Sequence, residues 1–163
     1  QMMQYSDIIF GDQNEWEVAS GVPHIPFEAL DADYEIDREA YLEYFRKMHQ
    51  LFPKCKKMLM AVRNQIASSH HTLSGLLYDA VEDQLYTTRI YDIEPIVDPM
   101  GVGDAFIAAY IHAHQKWGDK NQYCLDFSLS ASAIKNTVPG DQNLVTEEEI
   151  INNMTSSGGR IQR

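Results

Sequence analysis

A chain of 163 residues suits one domain with its own core, and a 44% hydrophobic share with mixed charge excludes a disordered tail or a fibrous repeat. The formal charge of −11 argues against a nucleic-acid surface, because phosphates would be repelled over most of the molecule. Cys55 and Cys124 have no metal or redox spacing, and no apolar run approaches the roughly 20 residues of a membrane span. Free thiols in a reducing cytoplasm, with neither nucleic acid nor membrane as partner, are the expectation. The chain begins at Gln1 and runs almost directly into a strand, so an upstream part is expected to be missing.

Ser6 to Gly11 (SDIIFG) reads as a short buried strand ending in glycine. A short helix over Asn14–Ser20 follows, with Gly21 as its C-cap. From Asp37, the residues Tyr41, Phe45, Met48 and Phe52 recur at helical spacing and stop before Pro53. Lys56 to Val62 is the next buried strand, with His70-His71 read as a wet loop beyond it. Residues 71–79 and 84–93 then form a hairpin about Asp79 to Asp83. A Gly-rich turn leads into a helix from Asp104 to about Trp117, and a further helix runs from Tyr123 to Asn136. The last helix starts near Glu147, with Thr146 and Glu149 as a capping box, and the tail beginning SSGGR reads as mobile. Strand–helix alternation with an inserted hairpin predicts an α/β layered fold with a largely parallel sheet.

The stretch Asp98-Pro-Met-Gly-Val-Gly-Asp104 carries the chemistry. Glycines ahead of a helix let its free N–H groups face a ligand, and the helix dipole favours an anion there. Gly101, Val102 and Gly103 are therefore a candidate phosphate cradle. Asp104 has two readings: a helix-stabilising charge worth about 0.3–1 kcal/mol, or a group placed to act on a bound substrate.

DPMGVGDAFIAAYI resembles the second signature of the ribokinase-like (PfkB) carbohydrate kinases, usually Asp-Thr-x-Gly-Ala-Gly-Asp-x-Phe followed by small residues. Asp98, Gly101, Gly103, Asp104, Phe106 and the pair Ala108-Ala109 match it, while Pro99 and Val102 depart from it. The resemblance implies that the turn's amides form an anion hole and that Asp104 is the base for the sugar hydroxyl. It further implies ATP as donor, Mg2+ as cofactor and K+ as a further cation beside the anion hole, near Asp98 and the loop around Thr137.

SGLLYD (Ser74–Asp79), YDIEPIVD (Tyr91–Asp98) and the stretch from Ala131 to Ile150 are similar to the 2-keto-3-deoxygluconate kinases, as is the closing SGGRIQR. The match runs from about Ser6 to Arg163 and implies the C-terminal half of a ribokinase-like fold, without the half that carries the lid and the sugar site. These residues alone are therefore expected to be inactive. By the same resemblance, Asp12 and Glu15 would hold magnesium through water, although the family has Asn where Asp12 stands. Arg63, Asn64 and Ser128 would lie on the nucleotide side, with Ala61 where the family has Thr. Asp141 would join Asp104 near the sugar, although a turn or capping role is the ordinary reading of an Asp after Pro139-Gly140.

The implied activity is ATP-dependent phosphorylation of 2-keto-3-deoxygluconate to its 6-phosphate, by a phosphotransferase with an alcohol acceptor. A fructokinase- or ribokinase-type relative, or a silent sugar- or nucleotide-binding relative, are the alternatives, with a homo-oligomer left open. His112 and His114 stand two apart on a helix and so face different ways, which does not suit a metal pair. Trp16 and Trp117 read as packing residues.

Overall fold

Side-chain alternation in one strand sorts the whole molecule into layers. The computed structural model describes residues 2–26 and 34–156; the expected mobile tail beyond Ser156, with the closing motif, lies outside them. After a 3-10 turn at Met2–Tyr5 come β1 (Ile8–Gly11), α1 (Gln13–Ser20), α2 (Arg38–Leu51), β2 (Lys57–Ala67) and β3 (His70–Asp79). Then follow β4 (Gln84–Thr87), β5 (Tyr91–Ile93), α3 (Val102–Trp117), α4 (Asn121–Lys135) and α5 (Glu147–Thr155). Along β2, Met58, Met60 and Val62 point to a core shared with α1 and α2, where Trp16, Phe45 and Met48 pack. Leu59 and Ala61 point the other way, to a core built with Phe106, Tyr110, Leu125 and Phe127 of α3 and α4. Helices thus cover both faces of the sheet, and β3 is buried without interruption from His71 to Asp79.

The sheet is mixed rather than largely parallel. Among the described residues only β1 and β2 run parallel, with Ile9 opposite Met58. β3 pairs antiparallel with β2 on one edge and with β4 and β5 on the other. The cause is connection length, since tight turns at Ser68-Ser69 and between Asp79 and Gln84 can only reverse the chain. For the same reason β2 continues past Val62 to Ala67, and the expected loop at His70-His71 is the start of β3.

At the end of the sheet where β2 begins, Lys57 donates to Asp79 Oδ2 at 2.6 Å and to Asn121 Oδ1 at 2.7 Å. Asn121 in turn donates to Asp79 Oδ2 at 2.8 Å, so one closed network joins β2, β3 and the start of α4. α1 and α5 each open on a reciprocal capping box, Asp12 with Glu15 and Thr146 with Glu149. Cys55 and Cys124 are buried free thiols, and no helix among the described residues is long and apolar enough to cross a membrane.

His71 makes the fold sensitive to acid. It is 6% exposed, and neither ring nitrogen has a partner among the described residues. Burial, with the positive neighbours Arg63 and His70, holds its pKa below the ordinary 6.5. The folded chain therefore binds this proton less readily than the unfolded one. Its stabilising contribution is intact above about pH 6.5 and is lost as pH falls toward the depressed folded value. Melting temperatures of wild type and His71→Phe, followed from pH 7.5 to 5, should diverge, with the variant losing less on acidification. Parallel curves would remove His71 as the cause.

Candidate active site

The site forms where β1 and β2 end, beside the start of α3. β1 stops at Gly11, and Asp12 caps α1 by accepting the Glu15 N–H at Oδ1 (2.8 Å), while Glu15 Oε2 accepts the Asp12 N–H (2.9 Å). Gly101 precedes α3 in the left-handed conformation, with φ 73°. The first intrahelical bond runs from the Ala105 N–H to the Gly101 carbonyl, so the amides of Val102, Gly103 and Asp104 have no intrahelical acceptor. A Cβ at Gly103 would meet nothing within 4 Å, so packing does not require glycine there. Its bareness leaves room for a ligand.

Two adjoining clefts share Asp12, Ala61 and Gly103. One, of about 300 Å³, brings Asp104 to the same surface as Asp12 and Glu15. The other, of about 400 Å³, adds Arg63 and Val102. Elements 90 residues apart in sequence thus place three carboxylates, one guanidinium and a helix N-terminus around one opening. Asp104 is exposed at its mouth.

The loop after α4 fastens the turn from behind. Asn136 O accepts both the Val97 and Asp98 N–H groups, at 2.8 and 3.2 Å. Asp98 Oδ1 accepts the Met100 N–H at 3.0 Å and Oδ2 accepts the Gly140 N–H at 2.8 Å. These two amides hold the Asp98 carboxyl below the usual carboxylate range, with attraction from Lys135 adding to them. A Cβ at Gly101 would stand 2.2 Å from the Asp141 carbonyl oxygen, so Asp141 is seated directly against the turn.

Two expected nucleotide contacts fall away. Ser128 is fully buried and donates to the Phe106 carbonyl at 2.5 Å, which staples α4 to α3. Asn64 is 6% exposed and alternates to the sheet face opposite Arg63, because Ala61–Asn64 is continuous strand rather than loop. Of the small pair, Ala109 is packed, whereas Ala108 is exposed. Ala108 instead lines an open groove of about 280 Å³ with Ala105, His112, Phe127, Ala131 and Asn143. Asn143 Oδ1 is buried there with no partner among the described residues. No local motif announces this groove, which exists only once α3, α4 and the 141–147 segment meet.

No protein-family model and no curated protein matches the sequence. Solved structures do. The 2-dehydro-3-deoxygluconokinase of Thermotoga maritima superposes with a TM-score of 0.80 at 26% identity, covering 95% of this chain and 43% of that one. The chain carries part of the ribokinase-like (PfkB) carbohydrate kinase fold. A PfkB family carbohydrate kinase from Listeria grayi gives a ribokinase-like match with a TM-score of 0.76 at 24% identity, covering 95% of this chain and 43% of that chain. The ribokinase of Arabidopsis thaliana, solved with ribose and ATP, gives 0.63 at 19% identity, over 96% and 43%. The chain thus spans less than half the length of these ribokinase-like structures.

Proposed function

We propose that this chain is the C-terminal part of a PfkB-type sugar kinase that transfers the γ-phosphoryl group of ATP to a sugar hydroxyl. The observation that carries this reading is that Asp104 and the amides of Val102 and Gly103, which have no intrahelical acceptor, lie at two adjoining clefts that share Gly103. An acceptor hydroxyl beside Asp104 gives its proton to the carboxylate as its oxygen bonds to the γ-phosphorus. The bond from that phosphorus to the bridging oxygen breaks, and ADP leaves with the electron pair. The turn's amides and the α3 dipole hold the transferring group's negative charge, the main requirement of phosphoryl transfer. Arg63 faces the same opening and suits a phosphate oxygen. The adenine would lie in the Ala105–Ala108–Ala131 groove, where its amino group satisfies Asn143 Oδ1.

Asp12 and Glu15 each use one oxygen in the capping box and keep the other, which fits a magnesium ion held through water. Among the described residues no group of three metal-ligating side chains gathers. Bound magnesium would offset phosphate charge beside these carboxylates. Asp98 Oδ1 and Oδ2 each accept one backbone N–H and keep a further lone pair, which leaves them able to face a potassium ion beside the turn.

2-Keto-3-deoxygluconate is the proposed acceptor, with the sugar site supplied largely by residues outside this chain and Asp141 at its near edge. These residues alone should then be inactive. An ADP-release assay on the full-length protein tests the reading, with 2-keto-3-deoxygluconate, fructose and ribose offered in turn. Turnover fastest with the keto-deoxy acid supports it. Turnover only with fructose or ribose moves the substrate elsewhere in the family. Binding without turnover favours a silent relative, a reading that Asp12 and Ala61 motivate.

A further inference from the structure

A histidine that belongs to no motif lines the wall of the active-site cleft. After α1 the chain turns at Gly21, in the left-handed conformation with φ 75°, and returns His24 to the cleft of about 400 Å³ that Gln13 and Asn14 of the same helix also line. Glu17, in the second turn of α1, accepts the His24 backbone N–H at Oε2 (3.2 Å). The same oxygen is bonded to the imidazole at Nδ1. A carboxylate can only accept, so Nδ1 carries the proton. Backbone and ring are thus both fastened to one oxygen atom, and Nε2 has no partner among the described residues.

Stability does not account for this fastening. Both side chains are about two-fifths exposed, where water and salt screen an ion pair. What the pair does is fix where the ring stands. Around that cleft, Arg63 brings a guanidinium from β2, and Val102 and Gly103 bring amides without an intrahelical acceptor. The acidic group lining it is Asp12, whose Oδ1 accepts the Glu15 N–H. One fixed cation and two amides suit an anion, and a phosphate chain presents more oxygens than these three groups can meet.

We propose that His24 is a phosphate ligand of this cleft, reaching the nucleotide's phosphate chain from the α1 side with its ring positioned by Glu17. This inference rests on the kinase reading for the identity of the nucleotide. In the bound state the ring donates from both nitrogens, Nδ1–H to Glu17 and Nε2–H to a phosphate oxygen, and so carries a positive charge between two anions. His24 takes no part in making or breaking the bonds to phosphorus. It holds the phosphate chain equally before and during transfer, so it acts on binding rather than on the chemical step. Glu17 does not touch the ligand and is a positioning residue.

The test compares wild type, His24→Ala, Glu17→Ala and Glu17→Gln in the full-length protein, titrated with inorganic pyrophosphate, ATP and adenosine. His24→Ala should bind pyrophosphate and ATP about tenfold more weakly, as for loss of one hydrogen bond between charged groups, and bind adenosine as wild type does. Its KM for ATP should rise by a similar factor, with kcat at saturating ATP within about twofold of wild type. Its melting temperature should stay near wild type, because the pair is exposed. Removing the Glu17 charge would by itself favour an anion, so weaker pyrophosphate binding in Glu17→Ala reports the loss of the ring's position. Glu17→Gln keeps an oxygen that accepts Nδ1–H and should recover that binding. Unchanged pyrophosphate affinity in His24→Ala overturns the proposal, and so does an equal loss for adenosine, the mark of a structural histidine. Tighter binding in Glu17→Ala overturns the positioning by Glu17. If wild type phosphorylates a sugar and His24→Ala binds ATP normally, this inference fails while the kinase reading stands. A wild type that binds pyrophosphate yet phosphorylates no sugar would sink the kinase reading, and the pyrophosphate comparison would still decide the role of His24.

Discussion

Asp104→Asn in the full-length protein should lose roughly 10²–10⁴ in turnover, the usual contribution of a positioned general base. The side chain is exposed at the cleft mouth in the first turn of α3, and an amide has the same shape as the carboxylate it replaces. Its melting temperature should therefore stay near wild type. The change removes a favourable charge at a helix N-terminus, worth about 0.3–1 kcal/mol, which sets the size of any stability loss. An amide cannot accept the hydroxyl proton, so the step that falls is chemistry rather than binding. ATP affinity should hold or tighten, since one of three carboxylates around the opening is gone. Kinetics and melting are read together. A variant that melts normally and phosphorylates at nearly the wild-type rate would reduce Asp104 to a helix-stabilising charge.

Gly101→Ala should be the most damaging change in the turn. Its φ of 73° costs an L-residue about 1–2 kcal/mol. Its new Cβ would also stand 2.2 Å from the Asp141 carbonyl oxygen, a backbone atom that cannot swing aside like a side-chain tip. The 136–141 loop must retreat, and with it the Gly140 amide that holds Asp98. A displacement near 1 Å at a site of phosphoryl transfer is enough for about a 10²-fold loss of turnover. Gly103→Ala is the control, because a Cβ there meets nothing within 4 Å and its φ is not strained. It should keep or raise stability, by up to about 1 kcal/mol from helix propensity. Turnover lost at Gly103 without stability lost would report ligand approach to the bare amide. Equal melting for the two alanine variants would show that the Gly101 strain is relieved elsewhere.

Features of the chain that depend on local spacing were legible in the letters. The capping box of Thr146 with Glu149, the αL glycine at Gly21, the buried strand after Pro53 and the Gly-rich entry to α3 each rest on residues within a few positions of one another. Periodicity and turn chemistry act over that range, so a linear reading reaches them. The signature from Asp98 to Ala109 also pointed to the ribokinase-like fold that the solved structures share.

What needed the tertiary structure is what depends on partners distant in sequence. The strand expected to stop at Val62 has a polar continuation to Ala67, and pairing of Asn64–Ala67 with His70–Thr72 is what makes that continuation a strand. That pairing turns the expected parallel sheet into a mixed one and carries Asn64 to the wrong face for a nucleotide. Ser128 was a plausible contact until α4 packed on α3 and its hydroxyl was taken by the Phe106 carbonyl. The Asp98–Gly140 bond and the seat of Asp141 against Gly101 both arise where two loops some 40 residues apart are pressed together. The sequence by itself determined where helices begin and which residues are candidates for the chemistry, because those are properties of neighbours along the chain. Which of those residues share an opening, and which are used up in holding it, was decided by packing, because burial removes some polar groups from water and leaves others facing the cleft.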